Sequence, residues 1–127
     1  MLRTSSNNRA FTIVELLVVI GVIALLVTVI AVGYRRSLDQ ATEAAMSSDL
    51  RAAASRLQTA RAESTTNTYP ASLEAAGFNN NNPRVSYTYT RSTAPEGFCV
   101  RASTTRLSIP DYHVTNLNLN PKAGACP

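Results

Sequence analysis

Tryptophan is absent from this chain of 127 residues, histidine occurs once and cysteine twice, and no proline precedes Pro70. So few candidate ligands leave no Cys, His, Asp and Glu cluster with metal-site spacing, and the five glycines form no phosphate-cradling loop. An excess of one charge is also lacking where it would matter. The formal net charge of +4 traces to Arg3, Arg9, Arg35 and Arg36, which flank an apolar block with Glu15 at its start. From Ser37 onward 8 basic residues face 7 acidic ones, so the net charge describes no nucleic-acid-binding face. These deficits argue against an ordinary cytoplasmic enzyme, and neither a cofactor nor a metal is expected.

What the chain does have is one long apolar run. Between Leu16 and Val32 there is no charge, only Gly21 and Thr28 among aliphatic residues. The wider segment from Phe11 to Tyr34, FTIVELLVVIGVIALLVTVIAVGY, holds 24 residues and a single charge. About 20 apolar residues in a helix cross the roughly 30 Å hydrocarbon core of a bilayer, so this segment is long enough to span one. The chain's own body is a poor shelter for it, because the roughly 90 residues that remain form only a marginal core. The segment reads as a membrane-inserted helix.

Three accounts of this N-terminus compete. A secretory signal peptide would use Arg3 and Arg9 as its charged region and Val29-Ile30-Ala31 as its cleavage site. Its apolar region should run to about 7–15 residues, which this one exceeds, and Glu15 sits near its start. A plain signal anchor is the second account, with basic residues on both sides leaving its orientation open. The third must explain Glu15. A carboxylate at the centre of a membrane helix costs about 2.5–3.5 kcal/mol and generally has a partner. Near the interface it would only favour a helix N-terminus through the macrodipole.

The ten residues before Phe11 tip the balance. MLRTSSNNRA is short, polar and basic, and it stops at a small residue followed by an aromatic one. Together with Ala10, Phe11, Thr12, Ile13, Val14, Glu15, Leu16 and Leu17, and the unbroken apolar stretch beyond, it closely resembles the type IV pilin superfamily. The resemblance implies that a prepilin peptidase on the cytoplasmic side cuts between Ala10 and Phe11 and that the new Phe11 amine is methylated. It also implies that Glu15 neutralises a neighbouring subunit's N-terminal amine during assembly. Opposite charges in an apolar bundle attract strongly, whereas either alone is heavily penalised, so the pair would select register as well as add affinity. Two departures stand out. The family usually has Gly where this chain has Ala10. Many members have Pro where this chain has Val32, two residues before an aromatic such as Tyr34, so Gly21 and Gly33 are the weak points left in the helix.

Downstream, SLDQATEAAMSSDLRAAASRLQTARAE contains neither Gly nor Pro and consists mostly of strong helix formers. Met46, Leu50, Ala53, Leu57 and Ala60 recur at helical spacing, and Leu38, Ala41 and Ala45 extend the stripe upstream. A coiled-coil seam would show the same stripe; packing on a sheet is favoured because strands follow. A helix continuous from Phe11 to about Ala62 would reach about 78 Å at 1.5 Å per residue. Beyond it, Pro70 breaks the helix, Ser72 to Ala76 predicts a short helical turn stopped by Gly77, and Asn79 to Asn82 predicts a solvated loop. Val85, Tyr87 and Tyr89 alternate with Ser86, Thr88 and Thr90, while Phe98, Val100 and Ala102 alternate with Cys99, Arg101 and Ser103. Pro95-Glu96-Gly97 predicts the turn joining them into a hairpin. A third strand is expected over Tyr112 to Thr115, continued by Leu117 and Leu119.

The expected organisation is a leader over residues 1–10, a transmembrane and assembly helix over 11–34, its amphipathic continuation over 35–63, and a loop plus antiparallel sheet over 64–127. The fold class is α+β and pilin-like, a long N-terminal helix packed on a three- to four-stranded antiparallel sheet. In a small exported domain Cys99 and Cys126 read as a disulfide, worth about 3.5 kcal/mol in the chain-entropy model. Pilins resemble this in stapling a C-terminal loop; two free thiols are the alternative. His113 lies in a predicted strand and reads as a strand-face residue rather than a catalytic base. Asp111 with Asn116, Asn118 and Asn120 would imitate part of a calcium site with only one carboxylate. Tyr87, Tyr89 and Arg91 read either as packing or as a platform for single-stranded DNA.

The chain is thus expected to be a non-enzymatic structural subunit, a pilin of a type IV pilus-like filament serving adhesion, twitching motility or DNA uptake. Its expected partners are copies of itself in a helical filament, prepilin peptidase, the pilus assembly machinery, the membrane, and a host-surface or DNA contact. It would pass from a single-pass precursor in the inner membrane to an extracellular surface filament. A pseudopilin of a type II secretion or competence machine shares the same N-terminus. A signal-anchored binding domain that never polymerises is the third reading.

Overall fold

The computed structural model of the chain describes residues 10–127, so the expected leader before Ala10, Arg3 and Arg9 included, lies outside the described residues. With no proline before Pro70, nothing interrupts the i→i−4 ladder, and one helix, α1, runs Ile13–Glu63. Glu15 in its first turn and Arg61 in its last complement the helix macrodipole. The chain divides into two compact units, the first ending at Ser37 and the second running Leu38–Pro127.

Between Leu16 and Tyr34 α1 is apolar on every side, and each residue from Ala10 to Ser37 is exposed. Such a helix suits lipid or a bundle, where backbone polar groups must be satisfied within the segment. Thr28 meets the same demand by donating its hydroxyl to the Leu25 carbonyl at 2.7 Å.

In the second unit α1 buries Met46, Leu50, Ala53, Ala54 and Leu57. Upstream, Leu38, Thr42 and Ala45 are half-buried, but Ala41 is exposed, against expectation. At about 100° per residue Ala41 falls on the far side of a stripe centred on Met46 and Leu57, and Thr42 takes its place. The helix closes as the Ser64 amide donates to the carbonyls of Ala60 and Arg61, at 3.1 and 3.2 Å. Arg61 then fixes the exit. Its Nε donates to the Asn67 carbonyl at 3.1 Å, its Nη1 to the Tyr69 hydroxyl at 3.2 Å, and its guanidinium lies 4.8 Å from the centre of the Tyr69 ring.

The segment from Ser72 to Gly77 is a single capped turn rather than a helix. The Ser72 hydroxyl accepts the Ala75 amide at 3.2 Å. At the other end Gly77, with φ of 76°, donates to the Glu74 carbonyl at 2.9 Å, and Phe78 donates to the Leu73 carbonyl at 3.0 Å. This is the Schellman arrangement, whose left-handed position favours glycine.

Four antiparallel strands follow, β1 (Val85–Thr93), β2 (Glu96–Thr104), β3 (Tyr112–Thr115) and β4 (Lys122–Ala123), in the order β1-β2-β3-β4. Thr93 pairs with Glu96 and Ser92 with Gly97, so the hairpin turn is Ala94-Pro95, one residue earlier than its composition suggests. Gly97 serves close approach instead: a Cβ there would stand 2.8 Å from Asn116 Oδ1. Leu117 and Leu119 do not continue β3. The chain turns after Thr115, whose amide donates to the Asn118 carbonyl at 3.0 Å, and both leucines are exposed.

The core joins the α1 stripe to Val85, Phe98, Val100, Ala102 and Val114 of the sheet, with Tyr69, Leu73, Phe78 and Ile109 closing its edges. Edge-to-face pairs Tyr69–Phe98 (4.9 Å) and Phe78–Tyr87 (5.3 Å) tie the loop segment to the strands. Two polar ties anchor α1 to the sheet-bearing half. Tyr87 donates to Asp49 at 2.6 Å, and the Asp39 carboxylate receives both Arg106 and the Ser108 hydroxyl, the latter at 2.9 Å.

Candidate processing and assembly site

The residues that carry chemistry in the first unit are gathered between Ala10 and Glu15. Ala10 and Phe11 precede α1 and are exposed, Phe11 by 84 %. Thr12 caps the helix. Its carbonyl accepts the Leu16 amide at 3.3 Å and its hydroxyl oxygen accepts the Glu15 amide at 3.2 Å. Glu15 reciprocates, for its Oε2 accepts the Thr12 amide at 3.1 Å and the Thr12 hydroxyl at 3.2 Å. This is a Thr-x-x-Glu capping box, in which two orphaned helix donors are satisfied reciprocally. Weighing Glu15 by its charge alone passes over Thr12, although the three-residue spacing is visible in Thr12-Ile13-Val14-Glu15.

The box sets where the helix begins, and so keeps the Ala10–Phe11 peptide bond outside it on an exposed stretch. Cleavage there would create an amine one helical turn before Glu15. Among the described residues, Glu15 belongs to none of the ion pairs.

The two cysteines, 27 residues apart, are joined in a disulfide with Sγ–Sγ of 1.95 Å and Cα–Cα of 6.0 Å. It explains a break in the β2 pattern: Cys99 is buried although its neighbours on the same face, Arg101 and Ser103, are half-exposed.

The minor constellations resolve into packing. Tyr87 and Tyr89 face the core side, donating to Asp49 and to the Pro70 carbonyl (2.8 Å), while Arg91 pairs with Glu96 at 3.4 Å. Burial first, then the Asp49 carboxylate, pushes the Tyr87 hydroxyl well above the usual phenol range. Asp111 is committed to Arg101 at 2.6 Å, Asn116 Oδ1 accepts the Phe98 amide, and Asn118 Oδ1 accepts the Asn120 amide. Among the described residues no group of three or more His, Cys, Asp and Glu side chains is placed to hold a metal. His113 Nδ1 lies 2.9 Å from the Gly124 carbonyl, a strand-end contact.

The fold is therefore that of an α+β, pilin-like chain, one long N-terminal helix with a four-stranded antiparallel sheet. Residues 5–31 match the family model described as the prokaryotic N-terminal methylation motif. That motif marks prepilin-type proteins, the type IV pilins and pseudopilins. An apolar helix that begins at this motif fits a membrane-anchored precursor. No curated protein and no solved structure matches the chain.

Proposed function

We propose that the chain is the structural, non-enzymatic subunit of a type IV pilus-like surface filament, serving adhesion, twitching motility or DNA uptake. The observation that supports this most is the segment from Phe11 to Tyr34, which starts at a processing motif and is exposed throughout among the described residues. Lipid covers it in the precursor, a single-pass protein of the inner membrane. Prepilin peptidase removes residues 1–10, and the Phe11 amine is methylated. As the assembly machinery draws the helix out of lipid, Glu15 leaves Thr12 for the Phe11 amine of a neighbouring copy, and the apolar segments pack on one another. Lipid is as apolar as the helix, so van der Waals packing and this polar pairing must drive the association. A charge left unpaired in such a bundle costs about 3–5 kcal/mol, which selects the register in which every Glu15 finds an amine. A host surface or DNA would meet the exposed side of the second unit.

Mass spectrometry of filaments sheared from the cell surface tests the reading. The expected material is a chain that starts at methylated Phe11 and is two hydrogens lighter than its fully reduced form. A chain starting at Met1 or Val32 overturns it. The same processed chain confined to the cell envelope, with nothing released by shear, would point instead to a pseudopilin of a secretion or competence machine.

A further inference from the structure

The charges that bracket the apolar segment fix where lipid must end. Between Glu15 and Arg35 lie 19 uncharged residues, Leu16 to Tyr34. As a helix they rise about 29 Å, which matches the roughly 30 Å hydrocarbon core and sets Tyr34 at its boundary. The second unit begins at Leu38. Leu38 stands four residues past Tyr34, a rise of about 6 Å in a helix and a reach of about 14 Å at full extension. The headgroup layer is itself about 5–8 Å deep. Whatever angle the second unit takes, the end at which α1 enters it is therefore held at the headgroups.

A turn of the chain is fastened at that end. Asp39, the second residue of the unit, receives both Arg106 and the Ser108 hydroxyl, the latter at 2.9 Å. The turn from Arg106 to Ile109 is closed by the Ile109 amide on the Arg106 carbonyl at 3.1 Å, and Ile109 is buried in the core. Leu107, at its tip, is fully exposed. A lone leucine in water is ordinary. This one is fixed where the chain itself brings lipid within reach. Charge at this end is mixed and does not choose the surface. Asp39 is answered by Arg106 and Asp111 by Arg101, Glu43 follows one turn along α1, and Arg35, Arg36 and Arg84 are exposed. A headgroup layer accommodates such a set, because long basic side chains reach the phosphates while an apolar one enters the layer beneath.

We propose that in the membrane-anchored precursor the turn from Arg106 to Ile109 rests on the phospholipid surface and Leu107 enters its interfacial layer. The span makes this contact intramolecular, so one side chain suffices where an untethered protein would need a larger apolar face. The proposal rests on the precursor reading and deepens it. The second unit is seated on lipid by its α1 entry end before assembly, and drawing out the helix must also lift Leu107 off the membrane.

Tryptophan is absent from the chain, so a single Leu107→Trp substitution supplies a unique reporter. The full-length chain is reconstituted into phosphatidylcholine vesicles, with and without lipid brominated in the upper acyl chain. The Leu107→Trp variant should show blue-shifted emission and lose about half of it to the bromolipid, as a side chain at headgroup level does. Leu117→Trp is the comparison. Leu117 is also exposed but lies at the other end of β2, next to Asn116, whose amide donates to the Phe98 carbonyl. That variant should keep water-like emission and escape quenching. An unshifted, unquenched Leu107→Trp variant overturns the proposal, and so does equal quenching of the two. Val32→Trp, inside the apolar segment, tells this failure from failure of the precursor reading. If Val32→Trp is quenched and Leu107→Trp is not, the proposal alone falls; if Val32→Trp also escapes quenching, the helix is not in lipid and both fall together.

Discussion

The two halves of one helix meet opposite fates. Up to Ser37, α1 is built from Val, Ile and Leu and every side chain lies exposed; from Leu38 on, it is rich in Ala and polar residues and buries five side chains almost completely. Between these two halves of α1, exposure runs opposite to hydrophobicity. Burial needs a partner surface as well as an apolar side chain, and the second half has one in the sheet, while among the described residues the first has none. An apolar surface of that extent must be covered by something else, lipid or further copies. The few strongly apolar residues of the second half suffice because Met46, Leu50 and Leu57 meet an inner face of Val100 and Val114 with no exposed surface left on any of them.

Substitutions on either side of Ser37 should therefore report on different things. The largest effect is expected from Glu15→Gln, which keeps a residue suited to the capping box but removes the charge. An unmatched amine in the assembled bundle costs about 3–5 kcal/mol, so sheared-filament yield should fall about a hundredfold or more while the processed chain accumulates in the membrane. Filaments of normal yield would show that the charge pair is not what the first half contributes.

Next comes Leu57→Ala, which should destabilise the second unit by about 2–5 kcal/mol in a denaturant titration of the detergent-solubilised chain. Leu17→Ala should leave the same titration unchanged, because Leu17 is exposed among the described residues. Equal effects of the two would erase the contrast. Reducing the Cys99–Cys126 bond should cost about 3.5 kcal/mol by the chain-entropy model for a loop of this size. That loss should be confined to the second unit and visible as a lower denaturant midpoint.

Thr12→Val should cost about 1 kcal/mol of helix N-terminal stability, seen as faster amide exchange over residues 13–16 with the Leu57 region unaffected. The smallest effect concerns acid. The Arg106 hydrogen bond first, then Ser108, holds the Asp39 carboxyl below its usual range. A depressed folded-state value means that the clamp's contribution is present above the ordinary carboxylate range and is lost as pH falls through and below it. Asp39→Asn should flatten this acid limb of the stability profile by lowering stability slightly at neutral pH and leaving the acid end nearly unchanged.

Much of the architecture can be read from residue order because it rests on local rules. Proline placement, the 3.6-residue stripe and the strict alternation of Val85 to Thr90 each depend on a few neighbouring residues, and each element forms where those rules place it. Where chain reading slips, a distant residue decides. Ala41 is the exception, because the helical period alone already puts it off the stripe. Pro95-Glu96-Gly97 has turn composition, yet Asn116, from another strand connection, fills the space above Gly97 and keeps it in β2. Leu117 and Leu119 have strand spacing but no fourth strand beside them, since the short pairing of β4 engages Tyr112 and His113 instead. At the candidate site, Phe11 and Glu15 are conspicuous by type, and Thr12 is evident only when the carboxylate is asked what it bonds to before any partner arrives.

Residue order alone dictates the span, the cap at Thr12 and Glu15, the helix and the hairpin, because backbone sterics, hydrogen-bond satisfaction and side-chain period act over a few residues. Three-dimensional packing is needed to turn Tyr87 and Tyr89 inward, to bring Asp39 to Arg106 and Ser108 across 67 and 69 residues, and to leave Leu107 standing clear of the surface. Those outcomes depend on which surfaces meet once the chain has folded, and contacts between distant residues are set by the sum of the packing rather than by any local pattern.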